Sequence, residues 1–263
     1  MSSALRILAG LAGLLVGAEL LVRGATALAS RLGIRPMVIG LTVVSLGTSL
    51  PELAIGIDAA RQGSPGLALG NIVGANLINI LFILGLSALI RPITFERPTL
   101  RFDLPAMTAV SLALWLLALD GSLARVDGIA LLLAGSPTRL ASSGRAARSR
   151  RAIIGLTVVA IGTTAPELVT TLVSTVRGDR DIAIGNLLGS SVYNIAVILG
   201  ITILVAPSAL EIPPEVVAAD LLLLAVATVI TVPVLLSGQR MTRVEGGAFV
   251  AAYVGYLLWL ILG

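Results

Sequence analysis

Between residues 216 and 236 the chain carries a single charged side chain, Asp220, and runs of this kind recur from one end of the sequence to the other. About 20 consecutive apolar residues is the length an α-helix needs to cross a hydrocarbon core. Inside such a core every backbone polar group has to be satisfied within the protein, so runs of this length direct the chain towards a bundle of helices. Composition agrees, with 57% of residues hydrophobic and 12% charged and a mean hydropathy of +1.03. An ordinary soluble domain carries roughly 25% charge. The expected class is an all-α integral membrane protein, in contact with lipid.

Eight runs are long enough to cross: residues 7–22, 37–60, 67–90, 103–119, 152–175, 182–206, 216–236 and 246–262. A further stretch, 122–134, begins in the same way, but Gly135-Ser-Pro-Thr-Arg139 interrupts it. About ten apolar residues are too few to span. It gives way to an arginine-rich joint at 139–151. The chain thus divides into a first half, 1–121, a truncated helix with its joint, 122–151, and a second half, 152–263.

The two halves are related. Residues 40–90 align with 155–205 without a gap, with roughly 20 identities in about 50 positions, a constant offset that marks an internal repeat. Gly40 matches Gly155, Pro51 matches Pro166, Glu52 matches Glu167, Asn71 matches Asn186 and Asn79 matches Asn194.

Arginine placement bears on how the copies are oriented. If all eight runs cross and the 122–134 stub does not, one side receives Arg23, Arg31, Arg35, Arg91, Arg97, Arg101, Arg177, Arg180, Arg240 and Arg243. Outside the central segment 122–151 the other side receives only Arg6 and Arg61. That bias puts the first side in the cytoplasm and makes the repeats antiparallel, as in the inverted repeats of secondary transporters. The six arginines of 122–151, Arg125 and the five of the joint, disagree. A crossing stub would bring most of them in, at the expense of Arg177, Arg180, Arg240 and Arg243, and would make the repeats parallel. The inverted arrangement is the preferred reading.

The chain has no cysteine and no histidine, and all 18 of its basic residues are arginine. Disulfides, Cys/His metal sites and Ser-His or Cys-His nucleophilic chemistry are therefore excluded, and no enzymatic activity is expected. Carboxylates, hydroxyls and amides remain, which are hard oxygen donors suited to sodium, calcium or magnesium. The high pI of about 10.6 reflects loop arginines and not a nucleic-acid surface.

Within the repeat, Gly-Thr-Ser-Leu-Pro-Glu at 47–52 returns as Gly-Thr-Thr-Ala-Pro-Glu at 162–167. A carboxylate at membrane depth costs at least ~2.5 kcal/mol on insertion scales, so Glu52 and Glu167 call for a functional reason. Pro51 and Pro166 remove a hydrogen bond and free carbonyls near Gly47 and Gly162. Ser45, Thr48 and Glu52 fall on one helical face, as do Ala160, Thr163 and Glu167. On the following helices Ala75 and Asn79, and Ser190 and Asn194, are one turn apart and can face the same space. Two such copies meeting at the midplane would gather two carboxylates and several neutral oxygens, enough for one calcium or a few sodium ions. Protons are the alternative neutralising partner.

Plainer readings exist for each residue. The glutamates can be a buried pair with no transport role, and Thr48, Ser49, Thr163 and Thr164 can bond back to their own helices. Asn79, Asn194, Asn71 and Asn186 can be bridges between helices. Asp58, Asp103, Asp120, Asp127 and Asp220 lie near run ends and read as interfacial, as does a Glu19–Arg23 pair one turn apart.

Gly40-Leu-Thr-Val-Val-Ser-Leu-Gly-Thr-Ser-Leu-Pro-Glu52 with Gly70-Asn-Ile-Val-Gly-Ala-Asn-Leu-Ile-Asn79, and their second copies at 155–167 and 185–194, make the chain resemble the cation/calcium exchanger superfamily. The resemblance implies an inverted-repeat antiporter fold in the cell membrane. It also implies that Glu52 and Glu167 bind calcium and sodium alternately. Thr48, Ser49, Thr163, Thr164, Ser190, Asn79 and Asn194, with the carbonyls of Ser45 and Ala160, would complete the cluster. Ala75 departs from the serine commonly found there. Measured against a typical ten-span member, the chain lacks most of the fifth helix and all of the sixth.

The expected function is exchange of calcium for sodium or protons, with no cofactor beyond the transported ions. The alternative is a truncated member that binds cations without transporting them, or serves as a membrane subunit.

Overall fold

A computed structural model describes residues 3–33, 39–97, 99–134 and 163–262. The Arg-rich joint, the segment where a sixth helix is expected, and the candidate Ala160 lie outside the described residues.

Helix α1 (Ser3–Leu32) is 30 residues long, about 45 Å at 1.5 Å per residue. The next run is not one helix. A π-helical turn at Gly40–Val44 leads into α2 (Ser45–Thr48), and the helix breaks at Ser49, whose φ of −88° and ψ of 3° leave the helical region. Pro51 is the cause. It has no N–H to give to the preceding turn and is tolerated only in the first turn of a new helix, where it opens α3 (Leu50–Arg61). Helix α4 (Pro65–Ile90) follows, and then β1 (Ile93–Thr94), α5 (Thr99–Asp120), β2 (Ser122–Leu123) and the ten-residue α6 (Arg125–Ala134).

The second half repeats the order. Thr164 breaks the chain as Ser49 does, with φ −78° and ψ 2°, and Pro166 opens α7 (Ala165–Arg177). Helix α8 (Arg180–Val205), β3 (Leu210–Glu211), α9 (Val216–Leu236), β4 (Arg240–Met241) and α10 (Arg243–Leu262) complete it. Among the described residues α4, α5, α8, α9 and α10 are long and apolar enough to cross a membrane.

Two miniature sheets settle the orientation of the repeats. Strand β1 pairs antiparallel with β4, and β2 pairs antiparallel with β3. Because α5 separates β1 from β2, the two sheets lie at opposite ends of the bundle. Helix α4 therefore ends at the β1–β4 face, and its repeat mate α8 ends at the β2–β3 face. Their directions are opposite, and the repeats are inverted. The loops keep the same two-fold relation: the Phe95 N–H donates to the Gln239 carbonyl at 2.7 Å, and the Ile212 N–H to that of Gly121 at 2.8 Å.

Arg91, Arg97, Arg101, Arg177, Arg180, Arg240 and Arg243 belong to the β1–β4 end, where Arg180 Nη1 donates to Thr94 Oγ1 at 3.1 Å and Arg243 Nη2 to the Ile90 carbonyl at 3.2 Å. The opposite end holds Arg61 and Arg125, the latter reaching the Ala206 carbonyl.

The stub is itself a repeat unit. Ala124-Arg-Val-Asp-Gly128 matches Thr242-Arg-Val-Glu-Gly246, and both acids cap their helices. Asp127 Oδ2 accepts the Ala124 N–H at 2.7 Å, and Glu245 Oε2 accepts the Thr242 N–H at 2.7 Å. Helix α6 is thus the first turns of the counterpart of α10. Each helix rests on a glycine contact. A Cβ on Gly246 would stand 2.6 Å from the Gly85 carbonyl oxygen, and one on Gly128 would stand 3.0 Å from that of Gly200. Side chains are barred there because the backbones touch.

The main core threads α4, α5, α8 and α9, with Ile72, Leu77, Ile83, Leu104 and Leu114 fully enclosed. Helix α1 is outside it. It lies mainly on α7, and its Val22, Ala25 and Ala29 form a separate cluster with Ile39 and Val44 of the 40–44 turn region and Ile182 of α8, against which Val173 of α7 packs. Glu19 pairs with Arg23 at 2.6 Å, as its spacing suggests, and also with Arg177 of α7 at 2.9 Å.

Two acids differ from the interfacial expectation. Asp127 and Asp220 are fully buried. Asp127 faces inward as the helix cap just described, and Asp220 accepts the Tyr256 hydroxyl at 3.0 Å. A polar partner supplied by the fold removes the need for solvent.

Candidate cation site

The two breaks place Ser49 and Thr164 where the inverted repeats cross, and bring Glu52 and Glu167 into the first turns of α3 and α7. A helix N-terminus carries unsatisfied N–H groups and a positive dipole end, so a carboxylate there is locally favoured. Both glutamates are nonetheless 0% exposed.

Each is gripped by the opposite repeat. The Ser49 hydroxyl donates to Glu167 Oε1 at 3.0 Å, and the Thr164 hydroxyl donates to Glu52 Oε1 at 3.3 Å. A second reciprocal pair lies beside the first: Thr48 Oγ1 donates to Asn186 Oδ1 at 3.2 Å, and Thr163 Oγ1 to Asn71 Oδ1 at 3.0 Å. Asn71 Nδ2 then holds the Glu52 carbonyl at 3.3 Å, while Asn186 Nδ2 holds Thr171 Oγ1 at 3.1 Å. The bonds exchange partners as a two-fold interface requires.

The remaining atoms define the chemistry. Oε2 of Glu52, Oε2 of Glu167 and both amide atoms of Asn79 and of Asn194 are buried and make no hydrogen bond among the described residues. An unsatisfied buried polar group costs about 1–3 kcal/mol, and more when charged. Two carboxylate oxygens and two amide oxygens without donors match a hard cation. Asn79 and Asn194 each sit second in a π-helical turn, Ile78–Ile83 and Tyr193–Leu199. Such turns re-aim a side chain within an otherwise regular helix.

The other sequence candidates fall as follows. Ser190 Oγ is 3.4 Å from Thr48 Oγ1, and Ala75, its mate, is buried without an oxygen to offer. Thr48 also bonds back to the Val44 and Ser45 carbonyls at 3.1 and 3.3 Å, so the plainer reading of that hydroxyl holds alongside the site reading. The Ser45 carbonyl accepts the Ser49 N–H at 3.0 Å, and its hydroxyl donates to the Gly40 and Asn186 carbonyls at 2.7 and 3.0 Å. Asn71 and Asn186 are bridges between the repeats. Sequence reasoning missed the buried hydroxyls of Thr170, Thr171, Ser174 and Thr175 on α7. Their three- and four-residue spacing from Glu167 was the available signal.

Comparison with known proteins follows the same division into halves. A family profile described as "Sodium/calcium exchanger protein" matches residues 2–134 and again 140–262. The inner membrane protein YrbG of Escherichia coli is 32% identical, over 97% of this chain and 95% of its own. That match extends over 312 residues, more than the 263 here, so YrbG carries sequence without a counterpart in this chain. The sodium/calcium exchanger MaX1 of Methanosarcina acetivorans is 42% identical over 46% of this chain and 35% of its own. Among solved structures, the sodium-calcium exchanger NCX_Mj superposes with a TM-score of 0.79 at 24% identity, covering 94% of each chain, and so shares the fold.

Proposed function

Because this chain belongs to the sodium/calcium exchanger protein family, we propose that it is a secondary antiporter moving calcium against sodium or protons, with Glu52 and Glu167 as the alternating cation ligands. One observation carries the reading. Two fully buried carboxylates are each held through one oxygen by the opposite repeat and keep the other oxygen without a hydrogen bond among the described residues. Their combined charge matches one divalent ion or two monovalent ones, and charge balance at a dry site makes the exchange of one for the other obligatory. Asn79, Asn194, Thr48, Ser49, Thr163, Thr164 and Ser190 supply neutral oxygens, with the carbonyls of Ser45 and Ala160 closing the set. The arginine-rich β1–β4 end faces the cytoplasm by the positive-inside rule.

A second reading, a member that binds cations without carrying them, draws support from the sequence that YrbG has and this chain lacks. Purified protein in vesicles separates the two. Calcium uptake driven by a sodium gradient or by a pH gradient, and abolished in Glu52→Gln, supports exchange and names the counter-ion. Calcium binding without gradient-driven uptake supports the second reading.

A further inference from the structure

The inverted repeats are not equal along the half-helices that leave the glutamates. Helix α7 runs from Glu167 to the arginine-rich end, and its buried face reads Glu167, Thr170, Thr171, Ser174 and Thr175. These positions are 3 to 4 residues apart and fall on one side of the helix. On α3, which runs from Glu52 to the opposite end, the repeat mates are Ile55, Gly56, Ala59 and Ala60. Four hydroxyls thus stand against none. The difference is not one of exposure, since Gly56, Ala59, Ala60 and all four α7 residues are buried.

The two seams are also packed differently. Helix α3 packs on α4 and on the second half of α8, where a Cβ on Gly56 would stand 2.7 Å from Thr202 Oγ1. At the mate of Gly56, Thr171 keeps its side chain and accepts from Asn186 Nδ2. Helix α7 packs on α8 and on the second half of α4. Among the described residues its hydroxyl face contains a buried atom with no hydrogen bond, Ser174 Oγ, and α4 contains another, Ser87 Oγ. Thr202 Oγ1, the repeat mate of Ser87 at the α3 seam, is likewise without one, so the seams differ in the half-helices α7 and α3 and not in the partner helix. Thr175 donates to the Thr171 carbonyl of its own helix at 2.8 Å. Apolar constrictions gate by losing water, whereas hydroxyl-lined ones hold it once the walls part.

We infer that the hydroxyl face of α7 is the wall of the hydrated route by which the cation passes between Glu167 and the arginine-rich face, while the α3 seam is a dry seal. This rests on the reading of Glu52 and Glu167 as cargo ligands. Thr170, Thr171, Ser174 and Thr175 act as transient oxygen ligands along that route, and the opposite side opens without an equivalent file.

The absence of cysteine makes the test direct. Ser174→Cys and Ala59→Cys are each treated with a cationic, membrane-impermeant methanethiosulfonate in right-side-out and inside-out vesicles, with and without calcium. The expected result is modification of Ser174→Cys from the arginine-rich face only, at least tenfold faster than Ala59→Cys from either face, and slowed by calcium. Thr175→Cys gives a second reading of the same face if Ser174→Cys does not assemble. Equal rates at Ser174→Cys and Ala59→Cys, reaction from the opposite face, or indifference to calcium overturns the inference. Calcium flux of the unsubstituted protein in the same vesicles is scored separately. Flux without this labelling pattern removes the route and leaves the exchanger, and labelling without flux removes the exchange reading.

Discussion

The Ser49 hydroxyl donates to Oε1 of Glu167 at 3.0 Å, across the boundary between the repeats. Thr164 returns the bond to Glu52 at 3.3 Å, so each carboxylate, seated in the first turn of its own half-helix, is also held by the other half of the chain. Ser49→Ala and Thr164→Ala are each expected to weaken calcium binding by roughly ten- to 150-fold, since a hydrogen bond to a charged group contributes about 1.5–3 kcal/mol. Binding isotherms on the two variants check this. A loss confined to one of them contradicts the reciprocal arrangement.

Gly246 sits where α10 meets α4, and a Cβ there would come within 2.6 Å of the Gly85 carbonyl oxygen and 2.9 Å of Ala88 Cβ. Gly246→Ala should lower stability by about 1–3 kcal/mol, the usual range for an extra methyl group in a packed contact. Thermal unfolding in detergent reads the change. Gly255→Ala, with nothing within 4 Å of the new methyl, serves as the reference and should leave the transition unchanged or raise it.

The caps of α6 and α10 differ by one hydroxyl. Thr242 Oγ1 accepts the Glu245 N–H at 3.3 Å while Glu245 holds the Thr242 N–H, a reciprocal capping box. At the mate of Thr242 stands Ala124, so only the Asp127 half of the box forms. Ala124→Thr is expected to add the missing bond and stabilise the protein by about 0.5–2 kcal/mol. An unchanged unfolding midpoint would count against the equivalence of the two helices.

Glu19 joins α1 to α7 through Arg177 at 2.9 Å, with both side chains about one-third exposed. Exposed ion pairs contribute about 0.2–1 kcal/mol and are screened by salt. Glu19→Gln should therefore cost little at low ionic strength and nothing measurable in molar salt. A large loss that persists in high salt would show that Glu19 does more than pair.

Much of this was legible in the residues. Glu52, Glu167, Pro51 and Pro166 announce themselves because an acid and a helix breaker are both conspicuous in apolar sequence, and the constant offset linked the two copies. What lay hidden had physical causes. Strands of two residues such as β1 and β4 have no alternation to detect, and their pairing is decided by loops that meet only in the folded chain. The α6 match to α10 escaped because the offset lengthens by three residues beyond the aligned block and the cap acid changes from Asp127 to Glu245. The π-helical turns at Asn79 and Asn194 have no sequence period of their own. Burial of Asp220 required knowing that Tyr256 comes back to meet it. The hydroxyls of α7 were visible, but among Ser and Thr scattered through apolar helices only the comparison with α3 gives them meaning.

The two small sheets have a mechanical consequence. Each sheet stitches the loop following one long helix to a loop of the other half, β1–β4 at one end and β2–β3 at the other. Helices α4, α5, α8, α9 and α10 are thereby tied at their tips as well as along their lengths, and form a stiff frame. Helix α1 has no such stitch among the described residues; it rests on α7 and is held by one apolar cluster shared with the 40–44 turn and α8 and by one surface ion pair to α7. Compliance is thus concentrated in α1, which lies against α7 and the 40–44 turn, and rigidity in the frame whose α4 and α8 carry the asparagines of the site.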